Sequence, residues 1–137
     1  MKQFKNIIIF THEKYLKNKD VKTLVSFFKK KKISCEFLIQ SSNEVKTLSN
    51  NKVVKPNASL KKTVLGNQGL VIVFGGDGLF LSASKFAFTL DIPILGINFG
   101  KIGFLVDVDK KNALKEITQI ISGKYILDNR ILIDAKV

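Results

Sequence analysis

The sequence predicts an α/β fold, an open, doubly wound domain with a mostly parallel sheet. Short apolar runs typical of buried strands alternate along the chain with segments whose apolar residues recur at helical spacing. This alternation implies parallel strands joined by right-handed crossovers. Two of the predicted strands end in glycine-rich turns, at the carboxyl ends where ligands bind in open α/β sheets.

The first part of the chain carries two strands and a helix. Phe4 to Phe10 is predicted as the first strand because it is an apolar run, and Ile33 to Ile39 is predicted as the second. Between them, Asp20 to Lys32 is predicted as an amphipathic helix with Asp20 as its N-cap. One face of this helix holds Val21, Leu24, Val25 and Phe28.

The middle of the chain is polar before the apolar pattern returns. Gln40 to Asn57 is predicted as irregular or surface structure, and Ser59 to Leu65 as a short helix. Leu70 to Phe74 is predicted as the third strand, Leu79 to Thr89 as the next helix, and Ile92 to Asn98 as the fourth strand.

The last part of the chain repeats the helical pattern. Asp109 to Ser122 is predicted as a helix, with Asp109 at its start and Gly123 just after its end. Tyr125 to Val137 is predicted as one or two strands. The final apolar alternation stops without a turn or a polar tail, so we expect this chain to be the first part of a longer protein.

Composition limits the class of protein. With 137 residues, 45% of them hydrophobic, the chain can form one domain with a real core. The N-terminal apolar run has no small-residue cleavage site, and no run is long enough to cross a bilayer, so we expect no signal peptide and no membrane partner. The single cysteine, Cys35, agrees with a cytoplasmic location.

The net charge of +12 raises the question of nucleic-acid binding. The densest cluster, Lys29 to Lys32, falls at the C-terminal end of a predicted helix, where cations are stabilised by the helix dipole. The other lysines are scattered, and no aromatic residues alternate with them to form a stacking platform. We therefore expect no nucleic-acid partner.

The first glycine-rich turn surrounds Asp77, directly after the apolar run that ends at Phe74. Its glycines permit positive φ angles and close approach of a ligand, and a carboxylate at this point can meet a polar substrate group. The alternative is a plain turn in which Asp77 only caps the following helix.

The second glycine-rich run begins at Gly96 and places Asn98 at the end of the fourth strand. Gly100 and Gly103 allow this loop to fold close to a ligand, so the Asn98 loop and the Asp77 turn outline one site. The alternative is a tight loop shaped only by backbone geometry. Neither run matches a P-loop or the glycine pattern of a dinucleotide-binding Rossmann domain.

Together, the two runs resemble the N-terminal domain of the ATP-NAD kinase family. The segments that carry the resemblance are Phe74-Gly75-Gly76-Asp77-Gly78-Leu79-Phe80-Leu81, Ile94-Leu95-Gly96-Ile97-Asn98-Phe99-Gly100-Lys101-Ile102-Gly103-Phe104-Leu105 and Arg130-Ile131-Leu132. The resemblance implies that residues 1–124 form a nucleotide-facing α/β kinase domain. It also implies that residues 125–137 begin the transition into a second, β-rich domain that is absent from this chain.

The resemblance further implies transfer of the ATP γ-phosphoryl group to the adenosine 2′-hydroxyl of NAD, with a divalent cation such as Mg²⁺. Asp77 matches the family's proposed proton acceptor and Gly78 a neighbouring NAD contact. Phe80 matches a position near the bound nucleotide, and Asn98 is expected to bind the cofactor from the facing loop. An ordinary aspartate, with a pKa of about 3.9, is a weak base toward a sugar hydroxyl, so holding and aiming that hydroxyl is its expected contribution.

The sequence also departs from the family. Ser82 stands where many relatives carry a basic residue, and Leu79 replaces a residue that is often Thr or Asn. The family's Asn-Glu motif and much of its NAD-binding surface belong to the second domain, which nothing in this chain matches. The chain alone is therefore expected to lack a complete active site.

Other functions remain open at this point. One is a catalytically silent remnant that binds nucleotide or forms a homo-oligomer. Another is a lipid or diacylglycerol-type kinase, or a phosphofructokinase-like domain, since these also place a Gly-Gly-Asp-Gly turn after a strand. His12 follows the first strand and is weighed as a hydrogen-bonded loop residue against a ligand contact. No cluster of His, Cys or Asp has the spacing of a metal site, so no side-chain metal ligands are expected.

Overall fold

The computed structural model describes residues 3–41, 44–49, 52–54, 69–99, 105–106, 108–133 and 135. Its strands are β1 (Asn6–His12), β2 (Ser34–Ser41), β3 (Glu44–Ser49), β4 (Lys52–Val54), β5 (Gly69–Gly75), β6 (Ile94–Asn98) and β7 (Val108–Asp109). Its α-helices are α1 (Lys19–Lys30), α2 (Asp77–Leu90) and α3 (Ala113–Ile121), and a short 3-10 helix spans Glu13–Tyr15.

These strands form a seven-stranded sheet in the order β4-β3-β2-β1-β5-β6-β7. The pairs β2–β1, β1–β5, β5–β6 and β6–β7 are parallel, whereas β3 and β4 join the edge beside β2 in antiparallel orientation. The prediction of an α/β fold with a mostly parallel sheet is therefore confirmed. β1 and β5 lie at the centre, where both faces of a strand are covered, which explains their continuous apolar sequences.

Helices cover both faces of this sheet. On one face, alternate side chains of β1 and β5 pack with α1 and α3; this cluster includes Ile7, Ile9, Ile72, Phe74, Leu24, Phe28 and Ile117. On the other face, the intervening side chains of the same strands pack with α2; this cluster includes Ile8, Phe10, Val71, Val73, Ala83, Ala87 and Leu90. No helix in the described part of the chain is both long and apolar enough to cross a membrane.

The start of α1 differs from the prediction. Asn18, not Asp20, is the N-cap, and its side-chain Oδ1 accepts a hydrogen bond from the backbone N–H of Asp20 at 2.8 Å. Asp20 lies within the first turn, where its negative charge faces the positive end of the helix dipole. Both residues favour a helix start, and the cap lies two residues earlier than the apolar spacing indicated.

The prediction of irregular structure from Gln40 to Asn57 was wrong where the chain is described. β2 continues to Ser41, and two antiparallel strands follow, with β3 between β2 and β4 and with β4 at the edge of the sheet. Polar composition did not prevent strand formation, because a strand at or next to the edge of a sheet needs a partner for its backbone more than an apolar side chain at every position. The helix predicted for Ser59 to Leu65 lies outside the described residues.

The C-terminal part also needs two corrections. Asp109 ends β7, a strand that was not predicted, and α3 begins only at Ala113. Gly123 follows the helix end with a φ of 99°, which confirms the predicted stop. Residues 124–133 and 135 contain no helix or strand, so the strands predicted from Tyr125 onward are wrong for the described residues. Ile131 and Ile133 are almost fully exposed there.

Candidate functional site

The two glycine-rich turns lie side by side at the carboxyl edge of the sheet. Gly75, the last residue of β5, is the register partner of Asn98, the last residue of β6. The backbone N–H of Phe99 donates to the carbonyl oxygen of Gly75 at 3.2 Å, so the pairing extends beyond the end of β6. The prediction that both turns share one edge is confirmed. Gly100 and Gly103 lie outside the described residues.

Asp77 connects these two turns. Gly76 is the N-cap of α2 and makes no side-chain capping bond, and Asp77 is the first residue of the helix. Its Oδ1 accepts a hydrogen bond from the backbone N–H of Leu105 at 3.0 Å, across 28 residues of sequence. The carboxylate is half-buried at this point. Asp77 therefore holds the chain that follows β6 instead of serving as the N-cap of α2.

The glycines around Asp77 act differently from the prediction. Among the described residues, Gly123 is the glycine with a positive φ, so Gly75, Gly76 and Gly78 do not use that freedom. At Gly75, a Cβ atom would lie 2.6 Å from Cδ2 of Leu79, and the absence of a side chain permits this packing. At Gly76 and Gly78, no atom of the described residues outside their own turn lies within 4 Å of the Cβ position, which leaves space beside Asp77 in this part of the structure.

Phe80 packs against the strand that carries Asn98. A Cβ atom on Gly96 would lie 2.8 Å from Cδ2 of the Phe80 ring and 3.1 Å from Cγ1 of Val106. Phe80 is half-buried and joins the core cluster on the α2 face of the sheet. The ring thereby sets the distance between α2 and β6.

Contacts between aromatic rings connect Phe99, the residue after Asn98, to Tyr15 in the 3-10 helix that follows β1. Phe99 packs on Phe74 with ring centroids 4.9 Å apart, and its ring meets that of Tyr15 at 5.2 Å in an edge-to-face arrangement. Such pairs contribute about 0.5–1.5 kcal/mol beyond the burial of area. Thr11, buried at the end of β1, donates from Oγ1 to the carbonyl oxygen of Phe74 at 3.0 Å. The ends of β1, β5 and β6 are thus fixed to one another.

A cavity of about 210 Å³ opens beside the first glycine turn, and its described lining consists of His12, Lys14, Tyr15, Gln40, Gly75, Gly76 and Leu79. Sequence reasoning considered His12 but missed the lysine, the tyrosine and the glutamine. Lys14 and Tyr15 could have been found, since both lie within five residues after Phe10, the last residue of the predicted first strand. The glutamine fell at the start of a segment that was predicted to be irregular.

His12 organises the turn in which two of these residues lie. Its Nδ1 accepts a hydrogen bond from the backbone N–H of Lys14 at 3.2 Å and so caps the 3-10 helix. This bond requires an unprotonated Nδ1, so in the neutral ring the proton is on Nε2. The structure thus confirms a hydrogen-bonded loop role for His12 and also brings it to the cavity.

The remaining candidates for chemistry are side chains that could bind a metal ion and the thiol of Cys35. Among the described residues, no group of three or more His, Cys, Asp or Glu could hold a metal ion. Cys35 lies on β2 and belongs to the core cluster on the α1 face. Burial, with a smaller effect from the negative charge of Glu36, raises the pKa of its thiol from 9.0 to about 12. This thiol is therefore a poor nucleophile at neutral pH.

Comparison with known proteins identifies the family to which both turns belong. The family model described as the ATP-NAD kinase N-terminal domain matches residues 8–125. The NAD kinase of Salmonella choleraesuis (strain SC-B67) is 41% identical over 83 residues, covering 60% of this chain and 28% of that protein. The NAD kinase of Clostridium tetani (strain Massachusetts / E88) is 39% identical over 82 residues, covering 60% of this chain and 30% of that protein.

These matches thus span less than a third of the length of the relatives. The family model, by contrast, covers most of this chain and includes the Asp77 turn, the Asn98 loop and the cavity residues. The chain belongs to the ATP-NAD kinase family, in the region of that family's N-terminal domain.

Proposed function

We propose that the protein is an NAD kinase, which phosphorylates the adenosine 2′-hydroxyl of NAD with ATP to give NADP. The observation that supports this proposal best is the position of the Asp77 carboxylate. It lies at the junction of two glycine-rich turns at the carboxyl edge of a parallel sheet, beside two glycines that leave open space. The family model covers both turns, and relatives named NAD kinase are about 40% identical over 60% of the chain.

In the proposed reaction, the 2′-oxygen of NAD forms a bond to the γ-phosphorus of ATP. The bond from that phosphorus to the β,γ-bridging oxygen breaks, and ADP leaves with the electron pair. The proton of the 2′-hydroxyl passes to the carboxylate of Asp77. Because the transition state of phosphoryl transfer is loose, positioning and neutralisation of charge supply most of the catalysis.

The residues around Asp77 have positions that suit this reaction. The hydrogen bond from Leu105 fixes one carboxylate oxygen, so the direction in which the group meets the 2′-hydroxyl is set before substrate binds. We propose that Gly78 contacts NAD and that Asn98 binds the nucleotide from the neighbouring strand end. Phe80 is proposed to lie near the same nucleotide, and its packing on Gly96 would keep α2 and β6 at a fixed spacing.

The divalent cation of the proposed reaction, Mg²⁺, enters with ATP as part of that substrate and neutralises phosphate charge. No step assigned to this chain passes through it. We propose a cytoplasmic location, which the single, reduced and poorly reactive Cys35 supports. The second domain implied by the family belongs to the proposal too, because the matched relatives are more than three times as long as the matched region.

The test is NADP formation from ATP and NAD by the full-length protein, with the second domain that the proposal includes, and by its Asp77→Asn variant. We expect a loss of at least about 100-fold in kcat for this variant, the lower range for removal of a group that takes up a proton. Asp91→Asn is the matched control: it makes the same change of charge at the other end of α2, in a left-handed position that asparagine also adopts. Its rate is expected to stay within a few-fold of wild type.

Two results would contradict the proposal. If Asp77→Asn kept a rate within a few-fold of wild type, Asp77 would not be the catalytic group. If the folded wild-type protein bound NAD in a titration but made no NADP, the chain would be a silent remnant of an NAD kinase. Gel filtration of the same samples would show whether such a remnant forms a homo-oligomer.

A further inference from the structure

We propose that the cavity beside the first glycine turn binds the phosphates and the ribose of a nucleoside triphosphate, with Lys14 as the phosphate-binding side chain. This inference rests on the proposed function, because it assigns a place to the phosphoryl donor. The comparisons name the family but assign no residue of this cavity to a ligand.

The first argument is the position of the cavity relative to Asp77. β1 and β2 lie on one side of β5 in the sheet, and β6 lies on the other. The cavity is lined from the β1 and β2 side, whereas the Asp77 carboxylate is held by Leu105, beyond the end of β6. Gly75 and Gly76 line the cavity and directly precede Asp77. A donor in the cavity and an acceptor hydroxyl at Asp77 would therefore meet across the glycine turn.

The second argument is charge. Among the described residues, the cavity lining contains Lys14 and His12 but no Asp or Glu. The Lys14 ammonium has no carboxylate partner in the described part of the chain, and it lies 5.0 Å from the centroid of the Tyr15 ring. An exposed contact of this kind contributes only about 0.5–1 kcal/mol. The ammonium can therefore leave it for a phosphate, which offers a stronger, charge-assisted hydrogen bond.

The third argument is a buried acceptor. Oε1 of Gln40 is buried and has no hydrogen-bond partner among the residues that the structure describes. A buried polar atom without a partner costs about 1–3 kcal/mol, so a bound hydrogen-bond donor would relieve this cost. Gln40 lines the same cavity as the cation. A ligand with an anionic group for Lys14 and a hydroxyl for Gln40 fits both, and a nucleotide carries both.

The size of the cavity limits how much of the nucleotide it holds. A volume of about 210 Å³ is below that of pockets that enclose a whole drug-sized ligand, roughly 300–1,000 Å³. We therefore assign the phosphates and ribose to the cavity and leave the base outside. Tyr15 forms one wall, and its contact with Phe99 connects this wall to the Asn98 loop.

His12 provides a specific probe of occupancy. It is the only histidine in the sequence and it lines the cavity, so its imidazole C–H resonances report on binding without ambiguity of assignment. We would titrate the full chain with inorganic triphosphate at about 0.15 M salt, where long-range attraction to the net positive charge is screened. We expect a saturable shift of these resonances in the wild-type protein.

The lysine variants test the assignment of the cation. Lys14→Gln is expected to weaken triphosphate binding by about tenfold or more, since it removes a charge-assisted hydrogen bond. Lys22→Gln is the matched control: it removes the same charge from an exposed lysine on α1, and its affinity should stay within about twofold of wild type. Equal losses in the two variants, or no loss in either, would overturn the assignment of Lys14.

Gln40→Leu tests the assignment of the ribose. We expect it to weaken ATP binding about fivefold while leaving inorganic triphosphate binding unchanged, because the hydroxyl partner is lost and the phosphate partners remain. Unchanged ATP binding in this variant would overturn the ribose assignment. No shift of the His12 resonances at millimolar triphosphate in the wild type would overturn the site as a whole.

The outcomes separate this inference from the proposed function. If ATP binds as described but no NADP forms, the cavity stands and the NAD kinase proposal fails. If NADP forms and Lys14→Gln changes neither the affinity for ATP nor the KM for ATP, the NAD kinase proposal stands and the cavity assignment fails.

Discussion

Asp77 and Leu105 are joined by a hydrogen bond of 3.0 Å from a backbone N–H to a half-buried carboxylate oxygen. The two residues belong to different glycine-rich runs, so this bond closes the first run onto the second. The carboxylate therefore has a structural role, which is to hold Leu105, in addition to its proposed role in the reaction. The two roles can be separated, because asparagine keeps an acceptor oxygen at the same place and alanine does not.

We expect Asp77→Asn to change the free energy of unfolding by less than about 1 kcal/mol, the usual value of a charge in the first turn of a helix. Asp77→Ala is expected to cost about 2 kcal/mol or more, because the N–H of Leu105 also loses its partner. Denaturant unfolding of both variants measures the difference. Equal stabilities would mean that the bond contributes nothing to holding the loops together.

Gly78→Ala is expected to stabilise the fold and at the same time to weaken NAD binding. Gly78 lies in the first turn of α2 and has open space around its Cβ position, so alanine is expected to raise the free energy of unfolding by up to about 1 kcal/mol. If Gly78 contacts NAD, the added methyl group should nevertheless weaken NAD binding. Thermal unfolding and NAD titration of the same sample test this. A variant that gained stability and bound NAD like wild type would remove Gly78 from the site.

Gly96 and Phe80 should be coupled. Alanine at position 96 places a methyl group against the Phe80 ring and Val106, and we expect a loss of about 1–3 kcal/mol from overpacking. Phe80→Leu replaces the planar ring with a smaller side chain, so the double variant should lose less than the sum of the two single changes. A double-mutant cycle by denaturant unfolding measures this coupling. Additive losses would mean that the ring is not what excludes a side chain at position 96.

Cys35 should make the protein less stable at alkaline pH. The thiol has a pKa of about 12 in the folded chain and 9.0 as its ordinary value, so between these values the unfolded state loses the proton and the folded state keeps it. Stability attributable to this group is complete below pH 9 and falls as the pH rises toward 12.

Lysines titrate in the same range, so Cys35→Ala is the necessary comparison. The wild-type protein should lose more stability than this variant between pH 8 and about 10.5. Alkylation of the thiol by iodoacetamide should also be slow in the folded protein at pH 8 and fast in denaturant. Parallel pH curves, or rapid labelling of the folded protein, would contradict the buried environment of the thiol.

The sequence could predict those strands and helices whose own residues show an apolar run or an apolar periodicity. β1 and β5 are continuous apolar runs because helices cover both of their faces, and α1 shows its buried face in the spacing of Val21, Leu24 and Phe28. β3 escaped prediction because its stability depends on backbone pairing with β2, which its polar sequence does not reveal. The apolar alternation near Ile131 predicted a strand, but a strand also needs a partner, and none is present in the described residues.

For the site, sequence located Asp77 and Asn98 but not their surroundings. The order of strands brings Gly75 opposite Asn98, as parallel pairing required. The bond from Leu105 to Asp77 could not be predicted, since it joins residues 28 positions apart and no pattern in the sequence pairs them. The lining residue Gln40 was missed because the strand that carries it extends further than its apolar run.

The close packing at Gly75 and Gly96 has a consequence for reading homologous genes. A Cβ atom at these two positions would lie within 3 Å of a side-chain carbon of Leu79 or Phe80, so packing disfavours a side chain at either glycine. Selection for folding would therefore favour Gly75 and Gly96 even in a descendant that had lost turnover, whereas no packing among the described residues would retain Gly76 and Gly78. Substitution of Gly76 and Gly78 with retention of Gly75 and Gly96 is therefore the pattern expected of a family member that folds but has lost turnover.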